Sequence, residues 1–313
     1  MSDCVDSNQQ SFKYRTVRFA ARSALVMVYI IVRILPLWAH RPLASALGLA
    51  LHRFVKRNRT LVTRHMSLAY GDTLSQPEIE ALALRCSRHM AMNIFEFIRF
   101  PAMNSRAILK AVTFEGEEHI QRALERNRGI IVLSAHFGNW EMLGAALVAR
   151  GYELTVVRRD QNDGLANAMI QKQRDRKGIK TIPRDKPLFK QIVALLKANE
   201  LVALIADQNA GSDGIFVDFF GTPVSTFKGP ALFATVTGAP IVPIFMVREG
   251  YMKHRVAFRP PLEHETSGDN DRDILAITQA CTTAIEDIIR EHPEQWMWQH
   301  NRWKTDPPES PEN

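Results

Sequence analysis

His136 and Glu141 are the residues whose types and spacing most directly indicate chemistry. They open and close the segment His136-Phe137-Gly138-Asn139-Trp140-Glu141. A neutral imidazole can take a proton from an alcohol near neutral pH, and a carboxylate on its other ring nitrogen would fix the tautomer and stabilise the imidazolium. The pair therefore favours general-base chemistry, and the alternative is a turn histidine that only hydrogen-bonds the backbone.

The context of this pair carries more weight than its spacing, because the chain contains ten histidines. A second match, His264 to Asp269, lies in a polar stretch that follows Pro260-Pro261 and is typical of a surface loop. His136 instead stands between an apolar run and a helical pattern, which predicts a strand-to-helix turn.

Two residues of this turn are candidates for stabilising a developing oxyanion. Gly138 lets the backbone approach a reacting group closely. The unpaired N–H groups at the helix start that follows Asn139 would then face the oxyanion.

The elements that must position these residues form an alternating series. The predicted strands are Val112–Glu115, Gly129–Ser134, Leu154–Val157, Ile179–Ile182, Leu201–Ala206 and Ile241–Val247. Between them lie the predicted helices Glu117–Arg126, Trp140–Arg150, Gly164–Lys177 and Pro187–Asn199. The alternation predicts an α/β fold with a largely parallel central sheet flanked by helices.

A long amphipathic helix precedes this series, from Gln76 to Phe100. Its apolar residues recur every three or four positions and predict one core-facing stripe. The stripe consists of Ile79, Leu82, Cys86, Met90, Ile94 and Phe97.

Polar residues follow several of the predicted strands. Arg158 and Arg159 follow one, Arg184 a second, and Asp207 with Gln208 a third. Sites in parallel sheets collect beyond the carboxyl ends of strands, so these residues are expected to converge on one crevice that binds phosphate through arginine. Each also has a plain explanation, since arginines are usually solvated and an aspartate often caps a turn.

The composition limits the class of protein. The chain has 313 residues, 46% of them hydrophobic, and a net charge of +7. The charge favours an anionic partner, and nucleic acid is disfavoured because no basic run is interleaved with aromatic residues. Three distant cysteines indicate neither a disulfide framework nor a metal site. The motifs of serine hydrolases, P-loop proteins and dinucleotide-binding proteins are missing.

The amino-terminal segment, residues 1–52, is basic and then apolar. Arg22 and Arg33 leave only a short uninterrupted apolar stretch between them, so a tilted span and a helix lying in the membrane interface are both open. We expect this segment to be a helical membrane anchor and residues 53–313 to form the catalytic domain. The alternative is a soluble helical cap.

Five separated stretches together resemble the lipid A biosynthesis lauroyl and myristoyl acyltransferases, within the glycerolipid acyltransferase superfamily whose motif is a histidine, four residues and an acid. The resemblance runs from about Arg59 to Lys304. The stretches are GIIVLSAHFGNWE, ADQN, VDFFGTPVSTFKG, TGAPIVP and HPEQWMWQHNRWK.

The resemblance implies transfer of a fatty acyl chain from an acyl carrier protein thioester to a hydroxyl of a phosphorylated glycolipid. His136 would be the general base and Glu141 its charge-stabilising partner. Arg159 or Arg158, with Arg184, would bind substrate phosphate, and Asp207 would orient groups at the site. No cofactor or metal is required, because a thioester is already activated.

The resemblance also places the protein at the bacterial inner membrane with its catalytic domain facing the cytoplasm. Three other functions stay open: acylation of a different glycolipid, such as mannosylated phosphatidylinositol; hydrolysis of the thioester by water; and non-catalytic lipid binding. Free fatty acid release would indicate the thioesterase, and tolerance of the loss of His136 would indicate the binding protein.

Overall fold

The computed structural model describes residues 27, 30, 32–158, 164–184, 188–263 and 267–308, with the side chains of 164–166 left aside. Arg159, His264 and most of the predicted anchor lie outside the described residues. The described helices are α1 (Leu37–Phe54), α2 (Lys56–Tyr70), α3 (Gln76–Arg99), α4 (Ser105–Ala111), α5 (Glu117–Leu124), α6 (Trp140–Arg150), α7 (Gly164–Arg176), α8 (Leu188–Lys197), α9 (Gly229–Thr237) and α10 (Asn270–Glu291). The described strands are β1 (Val112–Glu115), β2 (Ile130–Ser134), β3 (Leu154–Arg158), β4 (Lys180–Pro183), β5 (Leu201–Ile205), β6 (Ile215–Phe219), β7 (Thr222–Thr226), β8 (Ile241–Gly250) and β9 (Lys253–Phe258).

The central sheet has seven strands in the order β1-β9-β8-β2-β5-β3-β4. The five strands from β8 to β4 are parallel, which confirms the predicted α/β fold with a largely parallel sheet. β9 pairs antiparallel with β8 and parallel with β1, so these two strands run the opposite way. The reversal is made by a tight turn in which Met252 has a φ of 55°. β9 and the separate β6–β7 hairpin were not among the predicted strands.

Apolar residues cover both faces of this sheet. In β2, Ile131 and Leu133 pack into one core with residues of α2, α3, α8, α9 and α10. Ile130 and Val132 face the opposite core, which α4, α5 and α6 complete. Burial on both faces explains why the strand is a continuous apolar run rather than an alternating one.

The predicted apolar stripe of α3 is correct only in its first half. Ile79 and Cys86 are buried as expected, but Ile94 is 40% exposed. The buried face continues instead through His89 and Glu96, whose side chains meet the turn after β2. Hydrophobic periodicity missed these two residues, because a histidine and a glutamate interrupt the apolar pattern of a buried face that also includes Ala91, Phe95 and Ile98.

The amino-terminal helix α1 packs closely across α3. A Cβ atom added to Gly48 would lie 2.5 Å from the Cα of Arg88, so only glycine fits at this crossing. Large apolar side chains in and next to α1 are exposed to solvent: Ile34 is 78%, Trp38 79% and Phe54 78% exposed. Within the part of the chain that the structure describes, no helix combines the length and the apolar composition that a membrane crossing requires.

Candidate active site

The imidazole of His136 is held by a carboxylate from the neighbouring strand. His136 lies in the turn between β2 and α6, and its Nδ1 is 2.8 Å from Oδ1 of Asp207. The backbone N–H of His136 also donates to Oδ2 of Asp207, at 2.8 Å. Asp207 follows β5, which lies beside β2 in parallel, so both residues leave the sheet at the same edge. The two hydrogen bonds fix the carboxylate against both the ring and the backbone of His136.

Asp207 is buried and is surrounded by donors. Its Oδ2 also accepts a hydrogen bond from the indole Nε1–H of Trp296, at 2.8 Å. Burial alone would raise the pKa of Asp207, but the His136 charge and these hydrogen bonds outweigh burial and lower it. An ionised carboxylate only accepts hydrogen bonds, so Nδ1 of His136 carries the proton and Nε2 keeps its lone pair.

The environment of His136 makes it a stronger base than a free histidine. Burial disfavours the imidazolium, but the charge and hydrogen bond of Asp207 outweigh that effect, so the pKa of His136 is raised. The side chain remains 22% exposed and is therefore accessible to a substrate. The ring of Trp140 packs edge-on against the imidazole, with ring centroids 5.3 Å apart.

Glu141 does not hydrogen-bond His136. Its carboxylate forms a two-point ion pair with Arg174 of α7, with Nη2–Oε1 at 2.6 Å and Nε–Oε2 at 3.0 Å. The prediction that the Glu141 carboxylate contacts a ring nitrogen of His136 is therefore wrong. Glu141 lies in the first turn of α6, and its side chain points toward α7. Its charge still acts on His136 through space and contributes to the raised pKa.

Gly138 and Asn139 shape the turn. Gly138 has a φ of 58°, and a Cβ at this position would lie 1.6 Å from the carbonyl oxygen of Met246. The N–H of Gly138 donates to the carbonyl of Gln295 at 2.9 Å, so it is not available to an oxyanion. Asn139 caps α6 by accepting from the N–H of Met142 at 3.0 Å.

Two other amides at this helix start stay open. The N–H groups of Trp140 and Glu141 have no hydrogen-bond acceptor among the residues that the structure describes. They occupy the positive end of the helix dipole, where an anion is stabilised.

Two of the predicted arginines, Arg158 and Arg184, leave the same edge of the sheet as His136 and Asp207. Arg158 ends β3 and Arg184 follows β4, and these strands continue the parallel series beyond β5. The N–H of Arg184 donates to the carbonyl of Arg158 at 2.8 Å. The exposed guanidinium of Arg184 lies over the ring of Phe227, 4.2 Å from its centroid.

The carboxyl-terminal segment braces the loop that carries Asp207. The carbonyl of Gln208 accepts from the guanidinium of Arg302 at 3.2 Å. The N–H of Asn209 donates to Nε2 of His300 at 3.0 Å. Arg302 is 1% exposed, and burial lowers the pKa of its guanidinium to about 10. Gln208 thus contacts this support through its backbone.

A narrow apolar cavity lies beside the turn that carries His136, between the sheet and α6. Trp140, Glu141 and Arg174 line its polar end, and Leu143, Gly144 and Ile179 lie among the apolar lining residues. Its volume of about 30 Å³ holds roughly two water molecules. A longer apolar group enters only when the lining side chains move apart.

Arg174 and Trp296 belong to the site although the sequence did not predict them there. Arg174 lies 33 residues beyond its partner Glu141, and no local pattern links the two. Trp296 belongs to the aromatic segment 296–303, but the pattern gave no indication that its indole donates to Asp207.

Comparison with known proteins places this arrangement among acyltransferases. The family model described as bacterial lipid A biosynthesis acyltransferase matches residues 7–305. The phosphatidylinositol mannoside acyltransferase of Mycobacterium tuberculosis (strain CDC 1551 / Oshkosh) is 33% identical over 69% of this chain and 68% of its own length. The lipid A biosynthesis palmitoleoyltransferase of Escherichia coli (strain K12) is 26% identical over 88% of this chain and 90% of its own length. The lipid A biosynthesis lauroyltransferase of the same strain is 27% identical over 85% of each chain.

Proposed function

This chain belongs to the bacterial lipid A biosynthesis acyltransferase family and is an acyltransferase, and we propose that it moves a fatty acyl chain from an acyl carrier protein thioester to a hydroxyl of a phosphorylated glycolipid. The observation that carries the proposed mechanism is the His136–Asp207 pair, which leaves Nε2 of an accessible imidazole free to accept a proton.

In the proposed reaction, Nε2 of His136 takes the proton of the acceptor hydroxyl as its oxygen attacks the thioester carbonyl. The carbonyl electrons move to oxygen, and the resulting oxyanion faces the open N–H groups of Trp140 and Glu141. Collapse of this intermediate breaks the carbon–sulfur bond, and His136 returns its proton to the leaving thiolate. Asp207 stabilises the imidazolium between the two proton transfers.

The remaining charged residues support substrate binding. We assign Arg158, Arg159 and Arg184 to the phosphate of the acceptor, since a guanidinium binds phosphate oxygens with two donors. Glu141 is assigned an electrostatic role at His136 that its ion pair with Arg174 maintains. The acyl chain of the donor would enter the apolar cavity past Trp140, whose ring contacts both the cavity and the imidazole.

The acceptor is a glycolipid in either of two classes. The relatives above include enzymes named for lipid A and enzymes named for phosphatidylinositol mannoside. We propose a lipid A precursor because the lipid A relatives align with a larger share of this chain, 88% against 69% for the mannoside relative.

We propose that the protein attaches to the membrane through its amino-terminal segment, residues 1–52, together with the last residues of α1, which extends to Phe54. The exposed apolar side chains Ile34, Trp38 and Phe54 lie in a stretch, residues 7–71, that contains no aspartate or glutamate. Exposed apolar groups among cations suit an anionic lipid surface. We propose accordingly that the enzyme works at the bacterial inner membrane, with residues 53–313 in the cytoplasm where they would meet the acyl donor.

The test is acyl transfer by the purified protein. The protein is incubated with labelled acyl carrier protein thioester and, in separate samples, a phosphorylated lipid A precursor or phosphatidylinositol mannoside, and the lipids are weighed by mass spectrometry. A parallel sample replaces the carrier protein thioester with a coenzyme A thioester. His136→Gln, which keeps the size of the side chain, serves as the control.

An acyl-sized gain on the lipid A precursor that disappears in His136→Gln supports the proposal. A gain only on the mannoside would move the acceptor to the other class. Release of free fatty acid with no lipid product would make the protein a thioesterase, and no turnover by folded protein would remove the catalytic assignment.

A further inference from the structure

A polar stripe on α3 hydrogen-bonds the turn that follows His136. The stripe consists of His89, Asn93 and Glu96, which are spaced four and three residues apart and therefore share one face of the helix. His89 and Glu96 are buried, at 3% and 0% exposure. Each residue of the stripe hydrogen-bonds the Gly138–Asn139 turn that follows His136.

Two members of the stripe bind the same backbone oxygen. The Nδ2 of Asn93 donates to the carbonyl of Gly138 at 2.7 Å, and Nε2 of His89 lies 3.2 Å from the same oxygen. The left-handed conformation of Gly138 takes this carbonyl out of any helix or sheet ladder, so its acceptor sites depend on side chains.

The third member of the stripe binds the helix cap. Oε2 of Glu96 accepts from Nδ2 of Asn139 at 2.7 Å, while Oδ1 of Asn139 caps α6. Oε1 of the same carboxylate accepts from the N–H of Met252 at 2.9 Å. Glu96 therefore ties the start of the catalytic helix to the β8–β9 turn.

Arg248 of β8 joins the three members of the stripe. Its guanidinium donates to Glu96 and to Asn93, and its Nε donates to Nδ1 of His89 at 3.3 Å. A histidine that accepts at Nδ1 carries its proton at Nε2, which is the nitrogen that faces Gly138. Burial and the Arg248 charge lower the pKa of His89 to about 3, so this tautomer persists at neutral pH. The other titratable neighbours in the cluster are Glu96 and His254.

Stability alone does not explain this cluster. A buried ion pair seldom stabilises a fold more than apolar residues of the same size would, because desolvation offsets the attraction. What distinguishes this cluster is that its donors and acceptors converge on Gly138 and Asn139, two of the three residues between His136 and α6.

We infer that the polar stripe and Arg248 are positioning residues for the proposed acyl transfer: they fix the Gly138–Asn139 turn and thereby hold His136 in contact with Asp207. The inference rests on the proposed function but concerns residues outside its reaction steps. Among the described residues, none of these side chains hydrogen-bonds Asp207 or the imidazole of His136. They act through the backbone carbonyl of Gly138 and through Asn139, which caps α6.

The sharpest test is Asn93→Asp, which replaces one NH₂ group by oxygen. The variant keeps an acceptor for Arg248 but removes the shorter of the two side-chain donors to Gly138, so it weakens the turn contact without removing the ion-pair cluster. Asn93→Ser is the second variant, since the site is only half-buried and tolerates a smaller side chain. Asp273→Asn is the matched control, because Asp273 is 4% exposed and, among the residues that the structure describes, its carboxylate accepts hydrogen bonds from Ser267, away from the turn.

We expect both Asn93 variants to lower kcat by about 10-fold to 10²-fold, as small displacements of a catalytic group do, with little change in KM. In Asn93→Ser, which adds no charge, the acid limb of the kcat/KM profile should move to lower pH, because a looser contact with Asp207 raises the pKa of His136 less; in Asn93→Asp the added negative charge opposes this shift. The other charged or titratable groups near His136 are Glu141, Arg174 and His300. The control should change neither kcat nor the profile.

An NMR titration of His136 tests the His136–Asp207 contact through the pKa of the imidazole, without any substrate. A lower His136 pKa in Asn93→Ser than in the wild type supports the inference, even if acyl transfer itself is not found. Unchanged His136 titration in folded Asn93→Ser, or activity that falls only with the amount of folded protein, would overturn it. Absence of transfer by the wild type would instead count against the proposed function.

Discussion

Replacing Asp207 by asparagine is the most informative perturbation of the proposed mechanism. The carboxylate accepts three hydrogen bonds: Oδ1 from the imidazole Nδ1–H of His136, and Oδ2 from the backbone N–H of His136 and the indole of Trp296. Asparagine offers one oxygen and one NH₂ group. Because two donors meet at Oδ2, we expect the amide oxygen to take that position and the NH₂ group to face Nδ1.

This orientation changes the imidazole tautomer. An NH₂ group facing Nδ1 requires Nδ1 to accept, so the proton moves to Nε2 and blocks the proposed base. Restoring the catalytic tautomer would leave two buried donors, the N–H of His136 and the indole of Trp296, without an acceptor. Each costs about 1–3 kcal/mol. The sum of about 2–6 kcal/mol corresponds to a loss of roughly 30-fold to 10⁴-fold in kcat.

The assay is single-turnover acyl transfer with labelled carrier protein thioester, beside Asp273→Asn as a second buried aspartate. Nitrogen chemical shifts of labelled histidine report which ring nitrogen of His136 carries the proton. A variant of Asp207 that folds, keeps Nδ1 protonated and retains wild-type kcat would refute the reasoning.

Four further outcomes follow from the same geometry. Gly138→Ala should lower the free energy of unfolding by about 3 kcal/mol in thermal melts, because its Cβ would overlap the Met246 carbonyl; an unchanged melt would contradict that packing. Gly144→Leu should abolish transfer of long acyl chains and spare short ones in a donor-length series, since it fills the cavity; an unaltered length profile would remove the cavity from the acyl path. Glu141→Ala should lower turnover while circular dichroism stays near normal, and an unfolded variant would instead make Glu141 structural. Because the pKa of His136 is raised, kcat/KM should decline with falling pH from above the ordinary histidine value of about 6.5, as the imidazolium cannot accept a proton; a profile flat to lower pH would argue against His136 as the base.

The parallel part of the fold was predictable because its strands are short apolar runs between helical patterns. The run before His136 is buried on both faces, and its short apolar sequence ahead of a helical pattern predicts a strand. β9 was missed because its residues Lys253, His254 and Arg255 break the apolar pattern. Its identity depends on pairing with β8 and β1, which a local window does not contain.

The site was predictable in position but not in pairing. Sequence spacing suggested Glu141 for the imidazole because the two residues are neighbours in the chain. The structure brings Asp207 to that nitrogen from 71 residues away, through the adjacency of two parallel strands. Strand order is a long-range property, so no local rule could choose between the two carboxylates. The polar stripe on α3 was hidden for a similar reason, as its partners lie in the turn and in β8.

The crossing of α1 over α3 at Gly48 also has a consequence for how the enzyme would reach a lipid substrate that stays within a bilayer. The backbones touch so closely there that α1 has no freedom to slide or roll against α3. The same α3 carries the side chains that hold the turn beside His136. If α1 lies on the bilayer as proposed, the imidazole stays at a constant height above the lipid headgroups. The acceptor hydroxyl then reaches the base by lateral diffusion, and the depth at which that hydroxyl sits in the leaflet becomes a criterion for choosing it.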